Sequence, residues 1–585
     1  MAAAGKTLPP RKRPIAKPAI TPKLYNLRRK ALASHDEWAM NVLHRIGEAL
    51  NAPGGAESTN TRPGPQGQVL KWPEIYKPVP TPLTSPLPLR SAKLVTQAVL
   101  LLLLSLEKYD ARSRTFLLIL ASSLRVPVDV VIELESETAK TLIAVSKQMS
   151  ADAESKKRSD EGRVSRRWKV GLASVAGAAV IGVTGGLAAP LVAAGIGGLL
   201  SGVGLGATAF AGYLGAVAGS GAIMGALFGA YGGKMTGEMV ERYAAEVKDF
   251  AFVPLRKSDP CLRVTIGITG WLTDPNEVIL PWKALNENSE VYALRWEMGA
   301  LIDLGSSLHE VLKSYAWSYV KLEIIKRTVL ASLWAAIWPV ALLRAARVID
   351  NPFSIAKHRS EKAGQVLADA IINKAQGERP VTLVGFSLGA RVIYYCLQSL
   401  AERGAYGLVE NVVLMGAPVP SSGDTWTCAR TVVAGRIVNV YSEKDYILGF
   451  LYRTSSVQFG IAGLQPVKVP GIENLDVSNR VEGHLRYRHV VGVILKEIFG
   501  HDVDVGEVSR EEEVLKALEL KDEQIERERK EREKEGGRSR DVDGEIDSAL
   551  ERAERGLEER KIRREEEEVR RKRREARREE RRRRE

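Results

Sequence analysis

Residues 385–389 read Gly-Phe-Ser-Leu-Gly and contain the strongest candidate nucleophile, Ser387. They follow a predicted strand, Val381–Val384, and open a predicted helix, Leu388–Arg403. A serine between strand and helix, with glycine two positions to either side, is typical of a nucleophile elbow, where a sharp turn presents the hydroxyl. The alternative is a tight turn without chemistry, because this spacing arises by chance about 0.3 times in a glycine-rich chain of this length.

A serine hydroxyl needs a histidine to accept its proton, and the histidine needs an acid to orient it. Folds with this elbow place the acid and then the histidine after the serine, and the histidines after Ser387 are His484, His489 and His501. His484 is favoured because it follows the last predicted strand, Pro466–Val469, and begins the predicted final helix. The alternatives are His489, inside that helix, as the base, or a helix-capping role for His484.

The favoured acid is Asp445, which lies just past the predicted strand Arg436–Tyr441 and therefore at the carboxyl edge of the sheet. Glu443 and Asp424 are the competing acids, and a solvated turn position is the alternative role of Asp445. The sequence thus predicts a triad of Ser387, Asp445 and His484.

Acyl transfer also needs backbone N–H groups that stabilise the oxyanion. Leu388 follows the nucleophile at a helix N-terminus and is the first expected donor. The loop after an early strand supplies the second, where Gly270 lets the backbone approach the substrate and Trp271 provides an N–H. The Trp271 ring either lines an acyl pocket or belongs to the ordinary core.

Short apolar segments alternate with helical ones over 248–500, which predicts a mostly parallel sheet covered by helices on both faces. An apolar insertion at 300–350, centred on Thr328–Leu343, favours a cap or membrane-surface helix, with a membrane span as the alternative. The predicted strands before Ser387 are Leu262–Thr269, Val291–Trp296 and Val381–Val384, and those directly after it are Asn411–Met415 and Arg436–Tyr441.

Residues 170–233 form an uncharged run of 64 residues, of which 19 are glycine. A bilayer core takes about 20 apolar residues per helix, and Pro190 divides the run, so we expect a transmembrane helical hairpin over 169–235. Glycines recur at four-residue spacing from Gly221 to Gly233, which lets helices approach closely in lipid. The basic flanks favour both ends on the cytosolic side, and a buried soluble hairpin is the alternative.

Three further regions differ in composition. Residues 1–86 are basic and rich in proline and glycine, so they are predicted to be disordered, except for a helix over 23–50. Apolar spacing over 87–168 predicts a helical domain. Residues 506–585 contain 28 acidic, 27 basic and no aromatic residues, which excludes a globular core and favours a charged helical tail, partly disordered, with coiled-coil pairing over about 507–535.

The net charge of +14 suggests nucleic acid or an anionic membrane as a partner. Residues 1–30 carry nine basic and no acidic residues, and residues 561–585 carry fourteen basic and eight acidic ones, which leaves −1 for 31–560. No nucleic-acid partner is expected, because acids lie among the bases and no aromatic stacking residues accompany them. The tails favour contact with anionic lipid or acidic partners.

The three cysteines, Cys261, Cys396 and Cys428, are too few and too scattered for a disulfide framework or a zinc site. A reducing compartment is therefore expected, with no metal and no cofactor. The N-terminus has no apolar run after its basic residues, so no secretory signal peptide is predicted.

Seven segments carry a resemblance to a known family: Arg167–Gly171, Ile181–Pro190, Ile268–Leu272, Tyr292–Glu297, Asp350–Phe353, Gly385–Arg391 and Val481–Tyr487. Over roughly residues 90–500 the chain resembles the transmembrane and coiled-coil domain-containing protein 4 family. The resemblance implies a membrane-associated protein with an α/β-hydrolase-like domain, in which Ser387, Asp445 and His484 fall at the triad positions. Both tails lie outside the resemblance.

We therefore expect a membrane-anchored serine hydrolase of the esterase/lipase type, on an intracellular membrane that the chain crosses more than once. The membrane location favours a lipid or acyl-ester substrate. The alternative is a non-catalytic membrane-trafficking or scaffolding protein that retains the fold for binding and uses its charged C-terminal helix as a protein contact.

Overall fold

The computed structural model describes residues 21–51, 76–80, 86–106, 108–143, 227, 247–256, 261–286, 288–313, 340–421, 423–455, 460–500, 503–534 and single positions or short stretches between 548 and 573. The predicted transmembrane hairpin over 169–235, apart from residue 227, lies outside these residues, as does 314–339 of the predicted insertion. Within the described part, no helix combines the length and the apolar character needed to cross a membrane.

A seven-stranded sheet lies at the centre of the fold. Its strands are β1 Ala251–Pro254, β2 Val264–Ile268, β3 Glu290–Arg295, β4 Val381–Phe386, β5 Val409–Met415, β6 Ile437–Tyr441 and β7 Ile472–Asp476. Their spatial order is β1-β3-β2-β4-β5-β6-β7. β1 pairs antiparallel with β3, and every other neighbouring pair is parallel. The chain therefore has a mixed α/β fold with a mostly parallel sheet, as the alternation predicts.

The prediction of a final strand at Pro466–Val469 is wrong, because the final strand is β7. The segment Pro466–Val469 instead forms hydrogen bonds with the Asn474 side chain. Asn474 Oδ1 accepts the Val467 N–H at 2.7 Å, and Asn474 Nδ2 donates to the Val467 carbonyl at 3.0 Å. β7 is an edge strand with exposed side chains on both faces, among them Glu473 and Asp476, so it lacks the apolar alternation by which a strand is recognised in the sequence.

Helices surround the sheet and continue beyond it. The described helices are α1 Pro22–Asn51, α2 Leu89–Leu104, α3 Ala111–Ser123, α4 over 128–143, α5 Met298–Lys313, α6 Val340–Ile372, α7 Leu388–Glu402, α8 Asp424–Thr431, α9 Tyr446–Ser455, α10 Val491–Phe499 and α11 Val505–Lys534. Helices α2 to α4 share a second hydrophobic core around Leu100, Leu117 and Leu134.

Helix α1 lies in the region predicted to be mostly disordered, and it packs on the rest of the molecule. Leu24, Leu27 and Val42 are buried on its inner face, and Trp38 Nε1 donates to Ser113 Oγ at 3.2 Å. This helix corresponds to the one predicted over 23–50. Its apolar side chains recur every three or four residues, so they share the face that packs on the molecule.

A buried charge cluster joins the helical region to the sheet. Arg114 of α3 binds Glu135 of α4 at 2.9 Å and also binds Glu410 of β5. The Tyr109 hydroxyl donates to Glu135 at 2.6 Å, and burial raises the pKa of Glu410. Because Arg114 is shared by carboxylates from both regions, the helices and the sheet are coupled at this point.

The first turns of helix α11 belong to the core of the sheet domain. Val508 and Leu515 are buried in it, and Glu511 accepts the Gly492 and Val493 N–H groups at 2.7 and 3.1 Å. These N–H groups lie in the first turn of α10 and have no partner within their own helix, so a carboxylate is favourable there. The core therefore extends past the predicted domain boundary at residue 500.

Candidate active site

β4 ends one residue before Ser387 and α7 begins one residue after it. The φ of Ser387 is +56°, in the left-handed region that side-chain-bearing residues rarely adopt. The flanking glycines make this turn feasible: a Cβ at Gly385 would lie 2.8 Å from Ile393 Cδ1, and a Cβ at Gly389 would lie 2.0 Å from the Ile268 carbonyl oxygen. The glycines therefore have a steric role on both sides of the serine.

Ser387, His484 and Asp445 are hydrogen-bonded in series. His484 Nε2 lies 2.6 Å from Ser387 Oγ, and His484 Nδ1 lies 2.6 Å from Asp445 Oδ2. Ser387, His484 and Asp445 are only 3%, 2% and 1% exposed, respectively. The other carboxylate oxygen of Asp445 accepts the Leu448 N–H at 3.0 Å. With Asp445 accepting the Nδ1–H, the Nε2 lone pair faces the serine hydroxyl, as proton removal requires.

The segment that carries His484 differs from its prediction. His484 begins a 3-10 turn, His484–His489, and the final helix of the sheet domain, α10, begins only at Val491. Gly483, with φ +103°, precedes the turn, and Val490, with φ −131°, separates it from α10. These two backbone conformations break the helical path, so His484 lies in a connecting turn between β7 and α10.

The competing residues occupy other places. His489 Nε2 accepts a hydrogen bond from Arg488 Nε at 2.9 Å, and His501 lies outside the described residues. The exposed Glu443 donates its backbone N–H to Ser478 Oγ. Asp424 begins α8 and accepts the Thr21 hydroxyl at 3.1 Å. The geometry brings His484 and Asp445 to the serine in place of these alternatives.

The predicted oxyanion loop lies directly against the serine turn. A Cβ at Gly270 would lie 2.3 Å from the Leu388 backbone nitrogen and from the Phe386 carbonyl oxygen, so only glycine permits this approach. Among the residues that the structure describes, neither the Leu388 N–H nor the Trp271 N–H has a hydrogen-bond acceptor. One of these two donors directly follows the serine, and the other lies in the loop that packs against the serine turn.

The Trp271 side chain is part of the sheet-domain core, and it is 1% exposed. Its ring meets the Phe386 ring edge-on, with centroids 6.4 Å apart, and its Nε1 has no partner within the described part of the chain. Of the two roles expected for this ring, the structure shows core packing.

Two residues that were not predicted as site residues flank the site, Tyr487 and Arg488. The Tyr487 ring lies edge-on to the His484 ring, with centroids 5.8 Å apart, and Arg488 contacts Glu277, which follows the predicted oxyanion loop. Tyr487 ends the segment Val481–Tyr487 that carries the family resemblance, whereas the sole signal for Arg488 is its proximity to His484 in the sequence. In the described residues, no cluster of three or more His, Cys, Asp or Glu side chains is placed to hold a metal ion.

Comparison with known protein families identifies the chain. The model of the family described as protein of unknown function (DUF726) matches residues 162–500, more than half of the sequence. The chain belongs to the DUF726 family. The serine turn, the acid and the histidine of this DUF726 chain all lie inside the matched range. Membership confirms the predicted resemblance at the level of a related family, and assignment to the protein 4 subgroup stays a prediction.

Relatives of the DUF726 chain carry three kinds of name. An uncharacterized membrane protein of Schizosaccharomyces pombe is 43% identical over 80% of this chain and 79% of its own length. Transmembrane and coiled-coil domain-containing protein STS1 of Oryza sativa subsp. japonica is 41% identical over 67% of this chain and 61% of its own length. Probable lipase MIL1 of Saccharomyces cerevisiae is 34% identical over 68% of this chain and 38% of its own length. No solved structure matches the chain.

Proposed function

We propose that this DUF726 chain is a membrane-associated serine hydrolase of the esterase/lipase type with an α/β-hydrolase-like domain. The observation that carries the proposal is the buried series from Asp445 through His484 to Ser387, with 2.6 Å between the hydrogen-bonding atoms at each step. The strained strand-to-helix turn at Ser387 supports the same chemistry. The lipase name of the S. cerevisiae relative agrees with it.

The reaction follows from the positions of these groups. As Ser387 Oγ attacks the acyl carbon, its proton passes to His484 Nε2, and Asp445, hydrogen-bonded to Nδ1, stabilises the resulting imidazolium. The oxyanion of the tetrahedral intermediate accepts the Leu388 and Trp271 N–H groups. His484 then gives its proton to the leaving alcohol, which departs as the C–O bond breaks. Water attacks the acyl-enzyme by the same proton route and releases the carboxylic acid.

We also propose a membrane location and a domain organisation. In this proposal a Gly-rich transmembrane hairpin over 169–235 follows a helical domain over 87–168 and precedes the hydrolase domain. The membrane-protein names of the relatives support this location. An active site held at a membrane favours lipid esters or other acylated substrates. Carbonate extraction tests the hairpin: integral protein stays in the pellet, and release to the supernatant contradicts the proposal.

A fluorophosphonate probe tests the catalytic role of Ser387 in detergent-solubilised full-length protein. We expect the wild type and Ser399→Ala to be labelled and Ser387→Ala to remain unlabelled. Ser399 is a matched control, because it is a largely buried serine in α7, the helix that begins directly after Ser387.

Two results would contradict the hydrolase proposal. One is equal labelling of wild type and Ser387→Ala, which would place the reactive nucleophile elsewhere. The other is no labelling of a wild type whose cooperative thermal unfolding shows that it is folded. The second result would favour the scaffolding function, in which the fold is retained for binding.

A further inference from the structure

One carboxylate, that of Glu277, organises the loop that carries the Trp271 N–H. Its Oε2 accepts the Thr273 N–H at 2.6 Å, and its Oε1 accepts the Thr273 hydroxyl at 2.7 Å. The same carboxylate accepts the Asp274 N–H at 3.4 Å and so completes the capping box of the 3-10 turn Pro275–Val278. The path of the loop therefore depends on where Glu277 is held.

Arg488 holds Glu277 from the other side of the site. Its Nη1 donates to Glu277 Oε1 at 2.6 Å and to Thr273 Oγ1 at 3.3 Å. Its guanidinium carbon lies 4.8 Å from the centroid of the Trp271 ring. Its Nε donates to His489 Nε2 at 2.9 Å, and burial together with Arg488 itself lowers the pKa of His489 to about 4, so this imidazole is a neutral acceptor at pH 7. The guanidinium is thus fixed on three sides.

The same short turn carries both Arg488 and His484. The contact between Arg488 and Glu277 therefore joins the turn of the base to the loop of the oxyanion donor. It spans 211 positions of sequence, and a planar guanidinium holds a carboxylate with defined geometry.

We propose that Arg488 is a positioning residue that, through Glu277 and the Trp271 ring, holds the Trp271 N–H where the oxyanion forms. The inference deepens the proposed hydrolase function and rests on it. Arg488 itself touches neither Ser387 nor the reacting atoms in this arrangement. Its contribution is the placement of a donor that acts in the transition state.

Loss of this placement affects the chemical step more than substrate binding. Removal of one oxyanion donor lowers kcat by about 10²- to 10³-fold, and a shift of about 1 Å in a reacting geometry costs about 10²-fold. Without Arg488 the Leu388 N–H stays in place and only the Trp271 N–H shifts. We therefore expect kcat to fall by about 10- to 100-fold with KM changed by less than about 2-fold.

The test uses hydrolysis of p-nitrophenyl butyrate and the rate of fluorophosphonate labelling by the detergent-solubilised full chain. The variants are Arg488→Gln, Glu277→Gln, the double variant and Arg488→Lys, which keeps the charge but loses the planar fork. Arg480→Gln is the matched control, since Arg480 forms an ion pair with Glu497 and both side chains are partly exposed. Thermal unfolding of each variant reports folding separately.

The expected result is a fall in kcat for Arg488→Gln and Glu277→Gln, with the double variant no slower than the slower single variant and Arg488→Lys in between. Arg480→Gln should match the wild type. Wild-type kcat in a folded Arg488→Gln, or effects that multiply in the double variant, would overturn the positioning role and leave the hydrolase proposal intact. If the wild type itself neither hydrolyses the ester nor reacts with the probe, the hydrolase proposal fails first.

Discussion

The Tyr487 ring occupies the space beside Gly416, where a Cβ would lie 2.4 Å from Tyr487 Cε2. Gly416 directly follows β5 and has a φ of +53°. On its other side, the Tyr487 ring packs edge-on against the imidazole of His484. The end of β5 therefore supports His484, the proposed base, through one buried aromatic ring.

A methyl group at Gly416 should displace this ring. We expect Gly416→Ala to lower the rate of p-nitrophenyl butyrate hydrolysis at least 10-fold and to lower Tm, because the alanine must either shift Tyr487 or leave its own backbone conformation. Gly404→Ala is the control: it has a similar φ of +66°, but its Cβ would lie 3.6 Å from the nearest atom, in the Tyr406 ring. Equal activity of the two variants would contradict the support role.

The proposed orienting role of Asp445 can be tested without changing the shape of its side chain. Asp445→Asn keeps the shape of the side chain but favours the wrong tautomer of His484, so we expect kcat to fall by about 10³- to 10⁴-fold. The control is Glu443→Gln, because Glu443 is an exposed neighbour that the sequence offers as a competing acid. This variant should keep wild-type activity. The measurement is ester hydrolysis at saturating p-nitrophenyl butyrate, and a folded Asp445→Asn that retains wild-type kcat would remove Asp445 from the triad.

The charge cluster at Arg114 predicts a large loss of stability on substitution. Arg114→Met leaves the carboxylates of Glu135 and Glu410 buried without the cation that binds both of them, which costs about 3–5 kcal/mol. The exposed pair Lys93–Glu133, with side chains 35% and 55% exposed, links the same helical region, so Lys93→Met should change stability by less than about 1 kcal/mol. Denaturant unfolding measures both, and similar effects would show that the cluster does not couple the helices to the sheet.

Burial raises the pKa of Glu511 from 4.5 to about 7. A folded-state pKa above the unfolded value means that the folded chain binds more protons between about pH 4.5 and 7, so stability declines as pH rises through this window. Glu511→Gln keeps an oxygen for the Gly492 and Val493 N–H groups but does not titrate. We expect its Tm to fall less than that of the wild type between pH 5 and 8, at roughly 2–4 °C for each kcal/mol of linkage.

The exposed neighbour Glu512 supplies the control for this pH dependence. Glu512→Gln should follow the wild-type Tm profile across the same range. Parallel profiles for wild type and Glu511→Gln would show that the titration of Glu511 does not contribute to the stability of the docked helix.

Local sequence signals predict the centre of the sheet and the members of the candidate site. β4 and β5 are largely apolar because both faces of these strands are covered. Ser387 was predicted from the two glycines that flank it, at positions where a Cβ would clash with neighbouring atoms. Asp445 follows from its place just past a strand end, because strand ends collect at one edge of a parallel sheet. His484 follows from the chain order of serine, acid and histidine, since the strand and the helix start predicted around it are both wrong.

The parts that sequence reading missed depend on distant contacts. β1 is only four residues long and ends in Pro254, so it has too little alternation to be recognised before it pairs with β3. The contact between Arg488 and Glu277 brings together side chains far apart in the sequence, and neither residue lies in a motif. The docking of α11 depends on the free N–H groups of α10, which exist only once that helix has formed.

The anchorage of α11 gives the charged tail a fixed starting direction. Its first turns are held by the core at Val508 and Leu515, whereas Lys516 and Leu520 are exposed. At a rise of about 1.5 Å per residue, residues 516–534 extend roughly 28 Å beyond the last buried contact. The direction in which this helix leaves the sheet domain is therefore set by the buried contacts of its first turns.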